Sequence, residues 1–311
     1  MPHAIRYFKA LSDETRLRLI HVLGQYELSV NELVRILEMG QSRVSRHLKI
    51  LTEAGLLASR RDGLWAFYAA VTEGEGAAFM QATAPFLACD AVLRADADMA
   101  SRIIEDRALK TRQFFNAIAD HWDTLSRDVL GGFDLAQAVC AAMPQPCAVA
   151  VDLGCGTGLV LEQMRGRAGQ IIGVDGSPRM LELSRRRFTV EGADRIDESI
   201  SLRIGELHHL PLCDGEADFA SINMVLHHLS EPHCALMEIH RVLRPGGLVM
   251  VTDFDRHTQE KMRSDYGDLW LGFDEATLQR LLLSAGLEVL KSTRRPVEQD
   301  LALNLTLARR R

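Results

Sequence analysis

The sequence predicts two folds in one chain: a mostly helical module closed by a β-hairpin, then a larger α/β module built on a parallel sheet. Three observations lead there. Short helical patterns separated by turns fill residues 1–71 and finish in two strand-like runs around Asp62-Gly63. Ala-rich sequence with a single Pro follows over 72–110 and reads as helices and linker. From about residue 111 to 311, strand and helix patterns alternate, which is the mark of a parallel α/β sheet.

The bulk properties bound the answer. A chain of 311 residues can bury two separate cores. With 47% apolar and 25% charged residues, it is neither disordered nor fibrous. No apolar run approaches the ~20 residues that span a bilayer. The polar N-terminal turns do not read as a secretory signal, so a cytoplasmic location without a membrane partner is expected. The six cysteines (89, 140, 147, 155, 213, 234) form no C-x-x-C pair, which argues against a zinc ribbon or a disulfide framework. The net charge of -6 is unevenly spread: residues 1–71 hold ten basic and seven acidic residues, and the remainder 26 and 35. Only the first module is suited to meet a polyanion.

In that module Ser12 precedes the apolar pattern Leu17, Ile20, Leu23 and is expected to cap a helix that Gly24 closes. Ser29-Val30-Asn31-Glu32 spells a capping box and opens a helix with Leu33, Ile36 and Leu37 inward. Met39-Gly40 makes a tight turn, and Gln41-Ser42 starts a helix over 43–54. Its apolar stripe is Val44, Leu48 and Leu51. The opposite face carries Ser42, Ser45, Arg46 and Lys49, with Arg43 at its edge. Hydroxyls and long cations suit phosphates and base edges in a major groove. A cationic stripe by itself is commonly a solvated face, but two helices at this spacing form a helix-turn-helix. His47 lies toward the buried stripe and reads as structural. The hairpin 57–68 is a wing, with Arg60 and Arg61 near its tip.

FKALSDETRLRLIHVL, SRVSRHLKILTEAGLL and SRRDGLWAFYAA together resemble the ArsR-type winged-helix repressors over about 65 residues. The resemblance implies a homodimer on a palindromic operator in double-stranded DNA, released by a ligand. Arsenite-sensing members carry Cys-x-Cys before the recognition helix. Ser29 and Asn31 stand there in this chain, and neither is a soft ligand, so its signal must enter elsewhere.

In the second module the strand pattern 148–153 runs into Gly154-Cys155-Gly156-Thr157-Gly158 and then a helix. Glycines at a strand-to-helix bend let a ligand approach the backbone. The spacing is not the G-x-G-x-x-G of a dinucleotide site. The next strand, 170–175, ends in Asp175, about 20 residues beyond the bend, where a carboxylate can accept from ribose hydroxyls. Ser177-Pro178 opens another helix. After the strand 200–204, Glu206 could accept from an adenine amino group, with Leu207 packed on the base. A fourth strand, 217–223, is followed by His227-His228. A helix at 233–243 turns at Arg244-Pro245-Gly246-Gly247 into the strand 248–252. His208-His209, His227-His228 and His233 invite a metal reading, but adjacent side chains point apart, so no metal site is expected.

VDLGCGTG, GVDGSP with RML, DFASINMVLHHL and VLRPGGLVMVTDF are similar to the class I S-adenosylmethionine-dependent methyltransferases, in the family's order over about 110 residues. The resemblance implies a Rossmann-type domain holding S-adenosylmethionine or S-adenosylhomocysteine. Gly154 and Gly156 would contact the methionine part with Asp152 behind. Asp175 would hold the ribose, flanked by Gly176 and Met180. Glu206 and Leu207 would meet the adenine, and Asn223 the methionine end. Phe114–Trp122 and Arg256–Gly272 are candidate lids, or core aromatics. The expected organisation is therefore 1–71 winged helix, 72–110 helical linker or dimerisation segment, and 111–311 methyltransferase-like domain. The chain resembles the S-adenosylhomocysteine-responsive repressors of methionine-cycle genes. A small-molecule methyltransferase with an autoregulatory DNA-binding domain is the alternative. No catalytic base can be assigned from sequence, and Cys155 reads as a packing residue.

Overall fold

The computed structural model describes residues 3–87, 90–189 and 196–311. It divides into two compact units, Met1–Ala108 and Leu109–Arg311. Cys89 lies outside the described residues.

The first unit opens with α1 (His3–Leu11) and α2 (Glu14–Leu23). The cap of α2 is Asp13, whose side chain accepts from the Arg16 amide at 3.1 Å. Ser12, expected in that role, instead donates its hydroxyl to the Lys9 carbonyl at 2.8 Å. A carboxylate at the helix start is favoured over a hydroxyl by the dipole as well. Gly24 is the C-cap, as expected. β1 (Leu28–Ser29) leads into α3 (Val30–Leu37) through the expected capping box. The Ser29 amide donates to Glu32 Oε2 at 2.8 Å, and the Glu32 amide to Ser29 Oγ at 3.4 Å.

α4 (Gln41–Glu53) follows a turn whose left-handed residue is the exposed Glu38 at φ 53°, not Gly40, which is extended. β2 (Leu57–Asp62) and β3 (Trp65–Ala70) form the wing, with Asp62 paired to Trp65 across a two-residue loop. Gly63 begins that loop at φ 56°, which glycine adopts without strain. The sheet order is β1-β3-β2. The core consists of Leu19, Ile20, Leu23, Leu33, Val44, Leu48, Leu51 and Leu56, each at most 2% exposed. Trimming any one of them to Ala should cost about 2–5 kcal/mol.

α5 (Gly74–Leu87) and the start of α6 (Ala91–Ile118) belong to this unit. Met80, Ala100 and Ile103 join its core. Asp96 receives both Arg18 nitrogens at 2.7 Å. Arg107 reaches the capping residue Glu32, with Nε to Oε1 at 2.8 Å.

The second unit contains a 3₁₀ turn (Ala119–His121), α7 (Trp122–Leu130) and α8 (Leu135–Ala141) ahead of the sheet. Then come β4 (Val149–Leu153), α9 (Leu159–Met164), β5 (Gln170–Asp175), α10 (Pro178–Phe188), β6 (Ile200–Ile204) and β7 (Ala217–Asn223). A 3₁₀ turn (Leu226–His228), α11 (Pro232–Val242), β8 (Leu243–Phe254), α12 (Lys261–Asp265) and α13 (Glu275–Ser284) follow. β9 (Leu287–Pro296) and β10 (Ala302–Arg310) end the chain.

The sheet order is β6-β5-β4-β7-β8-β10-β9. The first five strands are parallel, while β10 runs antiparallel to both β8 and β9. The parallel sheet expected from the alternation of strands and helices thus carries an antiparallel hairpin at one edge. The chain order reverses between β4 and β7, so the carboxyl ends of these strands flank a crevice. Two apolar cores are centred on Val151, Ile222 and Val251, and on Ala150, Phe219 and Met250. These residues alternate along β4, β7 and β8, which places the two cores on opposite faces of the sheet.

Candidate functional site

The crevice is built from the bend after β4. Gly154 and Cys155 donate their amides to the Val174 carbonyl at 2.8 and 3.0 Å, which pins the bend onto β5. Gly154 at φ 70° and Gly156 at φ 53° are both left-handed, but their surroundings differ. A Cβ on Gly154 would fall 2.5 Å from Val225 Cγ2, so that glycine serves packing. A Cβ on Gly156 would meet nothing nearer than Trp122 Nε1 at 3.7 Å. The bare face of Gly156 is thus the open part of the bend. Cys155 is buried, and burial pushes its thiol up, consistent with packing rather than reactivity.

Asp175 closes the other side. Its Oδ2 accepts from the Gly156 amide and its Oδ1 from the Ser177 amide, both at 2.8 Å. Burial raises this carboxyl above its usual range, and the two amides oppose that rise. Each oxygen keeps a lone pair for a further donor. Gly176 lies next to it, where a Cβ would sit 3.7 Å from Glu206 Oε2. Met180 is buried on the first turn of α10, its amide donating to the capping Ser177 Oγ at 3.1 Å. Leu207 is half-buried against the core. Glu206 is half-exposed and is held by Arg112 at 2.9 Å. The structure thus brings Gly154, Gly156, Asp175, Gly176, Met180, Glu206 and Leu207 to one end of the sheet.

Asp152 and Asn223 form a second layer beneath the bend. Asp152 Oδ1 accepts from Ser221 Oγ at 2.5 Å and from Asn223 Nδ2 at 3.2 Å. Burial pushes the Asp152 carboxyl up to about 7 against those two hydrogen bonds. Asn223 is thereby oriented by Asp152 at the end of β7.

Several polar residues near the crevice escaped the sequence reading. Asn116 Oδ1 accepts from Ser177 Oγ at 2.6 Å. Asp123 accepts from Thr157 Oγ1 at 2.5 Å and from Arg187 Nη2 at 2.8 Å. With Arg112 they come from the segment 112–123, whose aromatics alone gave a signal. Of those aromatics, Phe115 packs edge-on against Trp122 and His228, at 5.3 and 4.7 Å between centroids. A Cβ on Gly267 would strike Phe114 at 2.8 Å, so Phe114 is a packing partner of that loop.

The histidine pairs behave differently from the expectation. His227 and His228 sit on a 3₁₀ turn with ring centroids 4.0 Å apart, and Asp268 joins them from another segment. The rings of these two neighbours nevertheless lie against each other, and Asp268 lies within reach of both. His208 and His209 are exposed and outside the cluster.

In the first unit, α4 exposes Ser42, Arg43, Ser45, Arg46 and Lys49, while Val44, Leu48 and Leu51 are fully buried. Lys49 lies 3.8 Å from Glu53 one turn on, a weak exposed pair. His47 is largely buried 3.6 Å from Asp13, and burial lowers its pKa, which fits a structural role. Arg61 is exposed on the wing. Arg60 stands two residues before the end of β2, but its side chain is engaged: it pairs with Glu27 at 3.2 Å and lies over the Phe67 ring at 4.8 Å. The outermost wing side chain is Leu64, 89% exposed.

Comparisons with known proteins agree with this division. A family model described as "Methyltransferase domain" matches residues 151–251, and one described as "Bacterial regulatory protein, arsR family" matches residues 13–59. A demethylmenaquinone methyltransferase of Desulfitobacterium hafniense is 30% identical over 55% of this chain and 68% of its own. An uncharacterized protein in transposon TN4556 of Streptomyces fradiae is 35% identical over 52% of this chain, but this chain spans only 46% of it. The chain also covers 45% of a Lactobacillus johnsonii demethylmenaquinone methyltransferase, at 32% identity. Among solved structures, the [4+2]-cyclase SpnF shares the fold with a TM-score of 0.55 at 19% identity, over 64% of this chain and 94% of that one. A geranyl diphosphate methyltransferase in complex with GPP and sinefungin has a TM-score of 0.50 at 17% identity, over 57% and 76%.

The fold and the bend define a class I methyltransferase domain preceded by a regulatory helix-turn-helix. The chain belongs to the methyltransferase-domain family, and its first unit is an ArsR-family helix-turn-helix.

Proposed function

We propose that this protein is a DNA-binding transcriptional repressor whose methyltransferase-like unit takes S-adenosylhomocysteine or S-adenosylmethionine as its effector. It acts as a cytoplasmic homodimer on a palindromic operator of methionine-cycle genes. The observation that carries the reading is the Asp175–Gly156 arrangement. A carboxylate with free lone pairs faces a glycine bend at the reversal point of the sheet, in a chain that also presents a cationic helix face. Asp175 accepts from the ribose hydroxyls, Glu206 and Leu207 meet the adenine, and Gly154 and Gly156 line the methionine part. Asn223, oriented by Asp152, meets its end. In the first unit Ser42, Arg43, Ser45, Arg46 and Lys49 face the major groove. Arg61 reaches the backbone, and Arg60 joins it once Glu27 releases it. No single helix among the described residues is long and apolar enough to cross a membrane.

Helix α6 contributes residues to each of the two units. In the first unit its Arg107 holds Glu32, the partner of the capping Ser29 in the first helix of the helix-turn-helix. In the second unit its Arg112 and Asn116 hold Glu206 and Ser177 at the crevice. A ligand donor that competes for Glu206 changes what Arg112 is bonded to. Effector and operator need only prefer different states, and couplings of this kind are ~1–3 kcal/mol.

The test is operator affinity at fixed salt, with each adenosyl ligand and without. The reading expects one ligand to shift it at least fivefold. Equal affinities in all three conditions would end the sensor reading.

A second reading is methyl transfer to a small molecule. The place an acceptor would enter is marked by a water-sized cavity lined by Trp122, Ser126, Met224, Tyr266 and their neighbours, which has to widen to admit one. Met224 follows Asn223, and Trp122 borders Gly156, so the cavity adjoins the methionine end of the crevice. Alignment and exclusion of water suffice for displacement at a sulfonium. The test is transfer of a labelled methyl group to candidate acceptors. Transfer that survives Asp175→Ala would remove the site assigned here.

A further inference from the structure

We propose that His227, His228 and Asp268 form a binding site for a divalent transition-metal ion of the zinc class. One ring nitrogen from each histidine and one carboxylate oxygen lie within 4.8 Å of one another, and all three residues are buried. His227 Nε2 is 3.6 Å from Asp268 Oδ1, and His228 Nδ1 is 3.9 Å from the same oxygen. Two ligands of a tetrahedral ion bound at about 2.0–2.1 Å stand roughly 3.3 Å apart. The two distances to Asp268 must shorten by a few tenths of an ångström, and the histidine nitrogens, within 4.8 Å of each other, by up to about 1.5 Å, to close around an ion. Two imidazoles and one carboxylate favour zinc over magnesium or calcium, which prefer oxygen-only ligand sets.

The surroundings hold the ligands in place. His227 Nδ1 lies 2.7 Å from Asp253 Oδ1, and that oxygen also accepts the Phe254 amide at 2.8 Å. A carboxylate on Nδ1 fixes the tautomer and aims the Nε2 lone pair at Asp268, the outer arrangement that supports metal-bound imidazoles. The segment bearing Asp268 is fastened to the same histidine: the Leu269 and Trp270 amides both donate to the His227 carbonyl, at 2.9 and 3.0 Å. Trp270 Nε1 adds a bond to the Leu229 carbonyl at 2.6 Å. His228 Nδ1 faces the Gly267 carbonyl at 3.2 Å. The bonds of His227 to Asp253, Leu269 and Trp270 hold with or without an ion, whereas an ion on His228 Nδ1 displaces the proton that this nitrogen donates to the Gly267 carbonyl.

The site also has room beside it. His227, His228 and Asp268 all line the cavity that includes Met224 and Tyr266. Its volume of about 20 Å³ accommodates a water molecule. Three protein ligands with a fourth position open to a cavity is the pattern of a site that binds an exchangeable ligand rather than a closed structural one. The competing occupant is a proton, held on His227 between Asp253 and Asp268.

The experiment uses the full chain, stripped with a chelator and titrated with Zn²⁺ alone by calorimetry. Metal content is measured after desalting. One equivalent per chain is expected. Asp268→Asn and His228→Ala should weaken it at least tenfold, while the exposed His208→Ala should not. Because the buried variants could unfold, Co²⁺ is added to the wild-type chain as a second measurement. A tetrahedral nitrogen–oxygen site gives visible absorption of characteristic strength. No stoichiometric Zn²⁺ uptake by the folded wild type, or an octahedral Co²⁺ spectrum, would overturn the proposal in favour of the proton. Uptake unchanged in folded Asp268→Asn would place the ion elsewhere and overturn it too.

Discussion

The two candidate interfaces of this molecule are built on opposite principles. On α4 the candidate DNA-contacting side chains are exposed and stand on a helix whose other face is fully buried. At the crevice the candidate ligand-contacting groups are already bonded within the protein: Asp175 to two amides, Asp152 to Ser221 and Asn223, Glu206 to Arg112. The first surface acts through charge at a distance and is weakened by salt. The second acts through fixed positions at short range, where a misplaced atom matters more than ionic strength. The difference teaches that the two proposed interfaces should fail in distinguishable ways.

The largest expected effect falls on the crevice. In the proposed site Asp175→Ala would remove the acceptor for two ribose hydroxyls, and it frees the Gly156 amide that Asp175 holds. Hydrogen bonds to a charged group contribute about 1.5–3 kcal/mol each, so adenosyl-ligand affinity by calorimetry should fall at least about 100-fold. Ligand-free operator affinity should be unchanged. A matching loss of operator affinity would dissolve the contrast between the two surfaces.

Arg46→Ala comes next. It should weaken operator binding by ~1–3 kcal/mol if Arg46 reads a base edge, while leaving ligand affinity as it was. Fluorescence anisotropy checks the first and calorimetry the second. An unaltered operator affinity would take Arg46 out of the interface. Lys49→Ala is a smaller change that sharpens the electrostatic half of the comparison. The slope of log affinity against log salt should fall by about 1. The same salt series should scarcely move adenosyl-ligand affinity.

The subtlest effect is on pH. The Asp152 carboxyl is raised from its ordinary 3.8 to about 7 by burial. A group raised in the folded state favours folding while it is protonated. Its contribution is full below about 4 and is lost as pH rises through about 7. Asp152→Asn should therefore flatten the decline in stability between those values, as read by urea melts at several pH values. A decline of the same steepness in the variant would assign it to another group.

Much of this was legible in sequence because local chemistry dictated it. The capping box at Ser29, the stripe of Val44, Leu48 and Leu51, and the glycine bend followed by Asp175 each follow from spacing within one strand–turn–helix or one helix. What escaped depended on distant pairing. Arg112 and Asn116 meet Glu206 and Ser177 across 94 and 61 residues of sequence, and nothing in their own neighbourhood announces it. The engagement of Arg60 escaped because its partner, Glu27, lies 33 residues earlier. The strands β9 and β10 were missed because their antiparallel pairing departs from the alternation that precedes them. The meeting of His227 and His228 with Asp268 depended on a 3₁₀ turn that residue spacing does not specify.

The central claim is that one chain couples an adenosyl pocket to a DNA-reading helix. Its most direct test is calorimetric titration of S-adenosylhomocysteine into the protein, alone and saturated with a duplex that the protein itself selects from a random pool. Linkage is reciprocal, so the account predicts a ligand affinity changed by the same factor, about 5- to 150-fold, that the ligand imposes on the operator. Identical affinities with and without the duplex would contradict it.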